Sequence, residues 1–182
     1  VRLEPAGHIL GSSQAIIDYA GYRIVYTGDF KLTPNITCIP AEIHNCDILF
    51  IDTTFGKKVF NFPDYDYIKQ RLLEFVEASL YKSCIPVIFA YNLGKAQEVM
   101  KILGDAGYNT YVSKPACDYA EIHSRYGVDV NGYHPLNGQY PENGAVVTPP
   151  TYKHLDNFFP EYRKRTCFVS GWALYRSYVR YI

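Results

Sequence analysis

Apolar and polar positions alternate with a short period in the first third of the chain. Two runs on either side of Gly21, residues 15–20 and 22–26, are typical of the paired strands of a hairpin. A continuous apolar run between Asp47 and Asp52 predicts a buried strand. The chain also begins within an apparent strand. We therefore expect residues 1–56 to form short strands joined by tight turns.

The period of the pattern becomes helical from Pro63 onwards. Apolar positions three or four residues apart predict two helices, over residues 63–81 and 95–103. Further segments are predicted as strands (86–90, 109–112, 145–148 and 166–170), short helices (117–126 and 152–159) and a loop (131–144). Strands and helices in alternation, joined by short connections, indicate a parallel α/β unit.

Composition excludes several classes of protein. The 182 residues include 18 basic and 18 acidic side chains, so no overall charge attracts nucleic acid, and contacts with it must come from local patches. The five cysteines are odd in number and form no CxxC pair, which favours a reducing compartment over a disulfide framework. No signal-peptide pattern or bilayer-spanning stretch is present, so we expect a soluble, cytoplasmic protein with no membrane partner.

Two polar side chains stand where apolar strands give way to small residues. His8 lies in a turn between glycines, and Asp29 follows Gly28 in a second turn. Imidazole nitrogen and carboxylate oxygen are both ligands for Zn²⁺, although a solvated histidine and a turn aspartate are the ordinary alternatives. Asp52 ends the apolar run and either caps a turn or presents a carboxylate at the edge of a sheet.

Three motifs carry a resemblance to a known family. Residues 5–14 (PAGHILGSSQ), 26–31 (YTGDFK) and 52–56 (DTTFG) resemble, in order and spacing, metallo-β-lactamase-fold nucleases of the β-CASP group. The mRNA 3′-end-processing-factor-like proteins and the ligase-associated DNA exonucleases are the most similar, and residues 169–173 (VSGWA) resemble the strand leading out of their cap.

The resemblance implies an α/β fold with part of a metallo-β-lactamase β-sandwich and a Rossmann-like β-CASP cap built on a parallel sheet. The implied domains are residues 1–57 for part of the metallo-β-lactamase domain, 58–165 for the cap, and 166–182 for a return to the first domain. Because an exposed half of a sandwich favours self-association, a homo-oligomer is also expected.

The resemblance further implies the roles of the candidate residues. His8 matches a ligand to one of two zinc ions, and Asp29 matches the aspartate that bridges both. Asp52 matches the acidic residue that supports the catalytic centre. The implied activity is hydrolysis of phosphodiester bonds in RNA or DNA by a two-metal hydroxide mechanism, in an exonucleolytic mode.

The sequence departs from the family in its metal ligands. The HxHxDH motif of the family and its later histidines do not occur among these residues, and His8 with Asp29 provides fewer donors than zinc requires. We therefore expect a central fragment of a larger nuclease, with zinc binding weak or absent and no activity in the chain alone.

Nucleic-acid contacts are expected from Lys57 and Lys58, directly after the Asp52 motif, and from Arg176 near the basic run 163–165. A solvated surface is the ordinary alternative for such residues. Two other functions are weighed against the nuclease. One is a non-catalytic subunit that serves nucleic-acid binding or assembly, and the other is a metallo-hydrolase of a small molecule, for which a cap of this size is unnecessary.

Overall fold

The computed structural model describes residues 1–138, 141–150 and 159–174. The chain divides by its internal contacts into two compact units, Val1–Gly56 and Lys57–Ile182. Both helices and strands are present, so the expected α/β class is confirmed. No helix in the described ranges is long and apolar enough to cross a bilayer. The three domain boundaries given above stay predictions.

The first unit contains one four-stranded sheet in the order β1-β2-β3-β4. Its strands are β1 (Arg2–Pro5), β2 (Ser13–Tyr19), β3 (Tyr22–Tyr26) and β4 (Ile48–Phe50). The first three strands pair antiparallel, whereas β4 pairs parallel to β3. The predicted hairpin is confirmed, and both turn residues, Ala20 and Gly21, have positive φ (48° and 83°), as a hairpin turn that follows the strand twist requires.

The two faces of this sheet differ in burial. Ile16 and Val25 are paired across β2 and β3 and are 0% and 3% exposed, so they form the core of the unit. On the opposite face, residues that are paired across neighbouring strands form three rows. None of the side chains in these rows is charged. We call it the apolar face, and its residues are Leu3, Ala15, Tyr26 and Phe50 in the first row, Ile17, Ile24 and Ile48 in the second, and Tyr19 and Tyr22 in the third.

The expectation of a buried strand between Asp47 and Asp52 is wrong in this structure. The strand covers only Ile48–Phe50, it lies at the edge of the sheet, and its three side chains are 43%, 50% and 57% exposed. An apolar run predicts a strand, but it does not show whether another element covers that strand. The strand was therefore predicted correctly, and its burial was not.

The second unit contains a five-stranded sheet in the order β7-β6-β8-β5-β9, and every neighbouring pair is parallel. Its strands are β5 (Ile85–Phe89), β6 (Asn109–Val112), β7 (Tyr133–Pro135), β8 (Gly144–Thr148) and β9 (Lys164–Phe168). The parallel α/β unit is thus confirmed. Residues 166–168, the start of the segment 166–182 that we predict to return to the first domain, pair with β5 in this sheet.

Three helices accompany the parallel sheet: α1 (Tyr65–Tyr81), α2 (Lys95–Asp105) and α3 (Lys114–Arg125). The helix α3 begins three residues earlier than the pattern predicts, because Ser113 caps it by accepting from the Ala116 N–H and a proline occupies its first turn. Strand β7 lies inside the segment predicted as a loop. The helix predicted over 152–159 falls outside the described residues, apart from residue 159.

The core of the second unit lies at the centre of its sheet. Val87 and Val146 are register partners with no exposed surface, and Phe159 packs on them at 1% exposure. Ile88 and Val147, which point to the other face, are equally buried. Coverage of both faces is typical of a parallel sheet, and it explains why these strands are continuously apolar.

The apolar face of the first unit predicts self-association of the chain. Its four aromatic side chains are 57–75% exposed, so they alone present roughly 500 Å² of surface. That area is large for a monomer, and with the aliphatic neighbours it approaches the roughly 800 Å² per partner of a standard interface. The chain also carries no net charge that would keep two copies apart.

We expect the combined substitutions Tyr26→Ser and Phe50→Ser to weaken self-association by at least about tenfold in sedimentation velocity, since each buried aromatic contributes about 1.5–3 kcal/mol. Tyr126→Ser, at an exposed tyrosine after α3, is the matched control and is expected to have no effect. A chain that stays monomeric at ~100 μM, where interfaces of micromolar affinity are occupied, would contradict the prediction.

Candidate metal centre

The turn that carries His8 connects β1 to β2 and is fixed by one hydroxyl. Ser12 Oγ accepts from the His8 N–H at 3.1 Å and from the Ile9 N–H at 3.2 Å, and it donates to the Ile9 carbonyl at 2.7 Å. The Ser12 N–H also donates to the Ile9 carbonyl at 3.0 Å. The histidine is therefore presented from a closed turn whose backbone groups are bonded.

Gly7 permits this turn to lie directly against the segment that follows Asp29. Its φ is +71°, and a Cβ at this position would stand 2.3 Å from the Lys31 carbonyl oxygen and 2.6 Å from the Ala41 nitrogen. The Lys31 N–H donates to the Ala6 carbonyl at 2.8 Å, which holds the two segments together. Only glycine has both the conformation and the space that this approach requires.

Asn35 ties the same turn from the other side, and sequence analysis missed it. Its Nδ2 donates to the His8 carbonyl at 3.3 Å and lies 3.5 Å from that of Gly7. Its Oδ1 accepts from both the N–H and the hydroxyl of Thr37 at 2.9 Å. The preceding Pro34 marks a turn, and an asparagine in such a turn often bonds to backbone groups, so this signal was present in the sequence.

The structure brings the side chains of His8 and Asp29 together. The His8 Nε2 and Asp29 Oδ2 atoms are 4.0 Å apart, and the side chains are 44% and 76% exposed. Two ligands of one tetrahedral zinc ion stand about 3.4 Å apart, given metal–ligand bonds of about 2.1 Å. A small movement of two exposed side chains is enough to reach that separation, so the pair fits as part of a donor set. Among the described residues, no three His, Cys, Asp or Glu side chains form a group that could hold a metal.

Asp52 fixes the turn in which it lies, and it is also hydrogen-bonded to the segment that bears Asp29. Its Oδ1 accepts from the Thr54 N–H at 3.1 Å and from the Thr54 hydroxyl at 2.6 Å, which is the turn cap weighed above. Its own N–H donates to Thr27 Oγ1 at 3.1 Å, and the Thr27 N–H donates to the Phe50 carbonyl at 3.0 Å. Thr27 therefore joins the segment that bears Asp29 to the segment that bears Asp52.

The predicted nucleic-acid contacts lie elsewhere in the chain. Lys57 and Lys58 are exposed at the start of the second unit. Arg176 lies outside the described residues. In the basic run 163–165, the Arg165 guanidinium lies 5.5 Å from the centre of the Phe75 ring, so at least this member packs within the unit.

Burial makes two cysteines of the second unit poor nucleophiles. Burial raises the pKa of the Cys167 thiol to about 12 and also raises the pKa of Cys117. Both are therefore thiols at neutral pH, and the reactive form of cysteine is the thiolate.

The chain matches no protein-family model. It is 32% identical over 131 residues to an uncharacterized protein of Acidianus ambivalens from the lig 3′ region, covering 70% of this chain and 89% of that protein. It is 26% identical over 175 residues to a protein of Opitutus terrae named "Probable DNA ligase", covering 96% of this chain. It is 30% identical over 102 residues to an RNase J-like protein of Methanocaldococcus jannaschii, covering 55% of this chain. The matched segments span only 17% and 24% of the last two proteins.

The close approach at Gly7 predicts a large loss of stability for Gly7→Ala. Gly11 is the matched control, because its φ is +81° but nothing lies within 4 Å of a Cβ there. We expect Gly11→Ala to cost about 1–2 kcal/mol from its backbone conformation alone. Gly7→Ala adds a clash with two backbone atoms, so we expect it to cost at least about 2 kcal/mol more. Urea unfolding followed by circular dichroism measures both, and equal costs would show that the two segments do not lie in contact.

Proposed function

Because the chain belongs to the metallo-β-lactamase-fold nucleases of the β-CASP group, we propose that it carries part of the metal centre and the cap of a metal-dependent phosphodiester hydrolase. The observation that carries this proposal is the 4.0 Å separation of His8 Nε2 and Asp29 Oδ2. The RNase among its relatives supports RNA or DNA as the substrate class. The exonucleolytic mode stays a prediction.

His8 and Asp29 would hold the zinc of this centre. Zinc in such a centre supplies Lewis acidity toward the phosphate and lowers the pKa of water. An imidazole nitrogen and a carboxylate oxygen are ordinary zinc donors, and both side chains are exposed enough to receive further ligands. The bonds of Ser12 and Asn35 to the backbone of the His8 turn would keep the imidazole in place when the phosphate binds.

Asp52 would act as a positioning residue. Its carboxylate fixes the turn that follows β4, and its N–H is bonded to Thr27, two residues before Asp29. A change at Asp52 would therefore reach the segment that bears Asp29. This link supports a role next to the metal centre without requiring Asp52 to contact a metal.

The layout of the domains is part of the same proposal. The first sheet would be one layer of the metallo-β-lactamase sandwich, which its apolar face supports, and the parallel unit would be the β-CASP cap. Lys57, Lys58 and Arg176 would contact the phosphate backbone of the substrate. The exposure of the two lysines supports this role for them.

A second candidate function is a non-catalytic subunit that binds nucleic acid or serves assembly. The observation that favours it is the incomplete donor set, since the described residues offer no third ligand beside His8 and Asp29. The two candidates differ in whether the full-length protein cleaves nucleic acid at all.

Zinc titration tests the donor set of this chain. Two donors are too few for tight binding, so we expect weak binding and little thermal stabilisation: a ligand present at its Kd contributes only about 0.4 kcal/mol. His8→Ala is expected to abolish the residual binding, whereas His134→Ala, in the second unit, leaves it unchanged. Sub-micromolar binding with a clear rise in melting temperature would show that the ligand count is wrong.

Cleavage by the full-length protein tests the proposed role of Asp29. We expect Asp29→Ala to abolish metal-dependent cleavage of labelled single-stranded RNA and DNA while circular dichroism stays unchanged. Asp105→Asn is the control, because it removes only a surface ion pair with Lys101 and should leave activity intact. Normal cleavage by Asp29→Ala would exclude a role for Asp29 in the metal centre, whereas an unsubstituted full-length protein that cleaves neither RNA nor DNA would favour the non-catalytic subunit.

A further inference from the structure

The loop between β5 and α2 is held by a fully buried amide. Gln97 has no exposed surface, and its Oε1 accepts from the Gly94 N–H at 2.8 Å. Its Nε2 donates to the carbonyls of Asn92 at 2.9 Å and of Ala116 at 3.2 Å. Ser113 Oγ donates to Asn92 Oδ1 at 2.7 Å. One side chain thus fixes the loop, the start of α2 and the first turn of α3 relative to each other.

This fixed loop presents a half-exposed aromatic ring. Tyr91 is 49% exposed, and its ring meets that of Phe168 at an angle of 71° with 6.5 Å between the ring centres. Phe168 is the last residue of β9, and the Val169 N–H that follows it donates to the Phe89 carbonyl at 2.9 Å. The Phe168 ring and the bonded backbone next to Tyr91 therefore hold this side chain in place, while about half of its surface stays exposed.

The position of Tyr91 in the sheet is one where ligands commonly bind. It follows the carboxyl end of β5, and β5 lies where the strand order changes direction. From β5 the chain runs to β6 and β7 on one side of the sheet, and it later reaches β9 on the other side. The carboxyl edge at such a point is the usual binding position in open parallel sheets.

We propose that Tyr91 stacks on an unpaired base of single-stranded RNA or DNA. This inference rests on the proposed function, which supplies nucleic acid as the substrate class, and adds a contact on the second unit. A rigid, exposed aromatic ring suits a base because every base has a flat π-face, and stacking needs no particular base sequence. A protein partner is disfavoured, because this loop exposes only two large apolar side chains, Tyr91 at 49% and Leu93 at 41%, which are too few for the apolar centre of a standard interface.

Binding of a labelled ten-nucleotide single strand to the whole chain, measured by fluorescence anisotropy in EDTA, tests the contact apart from metal chemistry. Tyr91→Leu keeps an apolar side chain but removes the π-face, and we expect it to weaken binding about tenfold. Tyr91→Phe keeps the ring and should stay within about twofold of the original affinity. The matched control is Tyr81→Leu, at an 89% exposed tyrosine that ends α1 before the amino end of β5.

A base analogue separates stacking from other contacts. The fluorescence of 2-aminopurine in the strand should be quenched on binding to the original chain and to Tyr91→Phe, but not to Tyr91→Leu. Equal losses for Tyr91→Leu and Tyr81→Leu, or no binding of single strands by the original chain, would overturn the proposal. Binding through Tyr91 together with a full-length protein that cleaves nothing would support the contact and contradict the hydrolase.

Discussion

The contact between the His8 turn and the segment after Asp29 is the constraint on which the first unit depends. Two short segments pass so close at Gly7 that a single methyl group would overlap backbone atoms of Lys31 and Ala41. The Lys31–Ala6 hydrogen bond and the Asn35 amide secure this contact, and the side chains of His8 and Asp29 lie 4.0 Å apart beside it. Backbone contacts therefore place the two candidate ligands next to each other.

The two units are stabilised in different ways. The parallel sheet of the second unit is covered on both faces, and its buried strands β5 and β8 contain no charged side chain. The sheet of the first unit buries Ile16 and Val25 at the centre of one face, and it leaves four aromatic side chains exposed on the other, uncharged face. Exposed apolar surface on this scale implies association in water, because its burial is the main favourable contribution to both folding and assembly.

Sequence reasoning succeeded where local chemistry determines the outcome. The hairpin was predicted from Gly21, and the proximity of His8 and Asp29 was expected because the resemblance implies that both are ligands of the same metal centre. It failed where the outcome depends on what packs against a segment. The run after Asp47 has the apolar pattern of a buried strand, yet it forms an exposed strand at the edge of the sheet. The early start of α3 could have been found, since Ser113 followed two residues later by a proline is a known helix start.

Asn35 and Gln97 show why functional geometry was harder to predict than the fold. Each is an amide that bonds to backbone groups far away in sequence, so neither produces a periodic signal. Both hold a loop that presents one exposed side chain, His8 in the first unit and Tyr91 in the second. Loss of these bonds would cost stability, most of all at Gln97, which is fully buried, so they favour the observed conformation of each loop while the exposed side chain stays available for ligands. In the proposed function the same device would prepare an imidazole for a metal and an aromatic ring for a base, because each ligand would then meet a group whose backbone is already ordered.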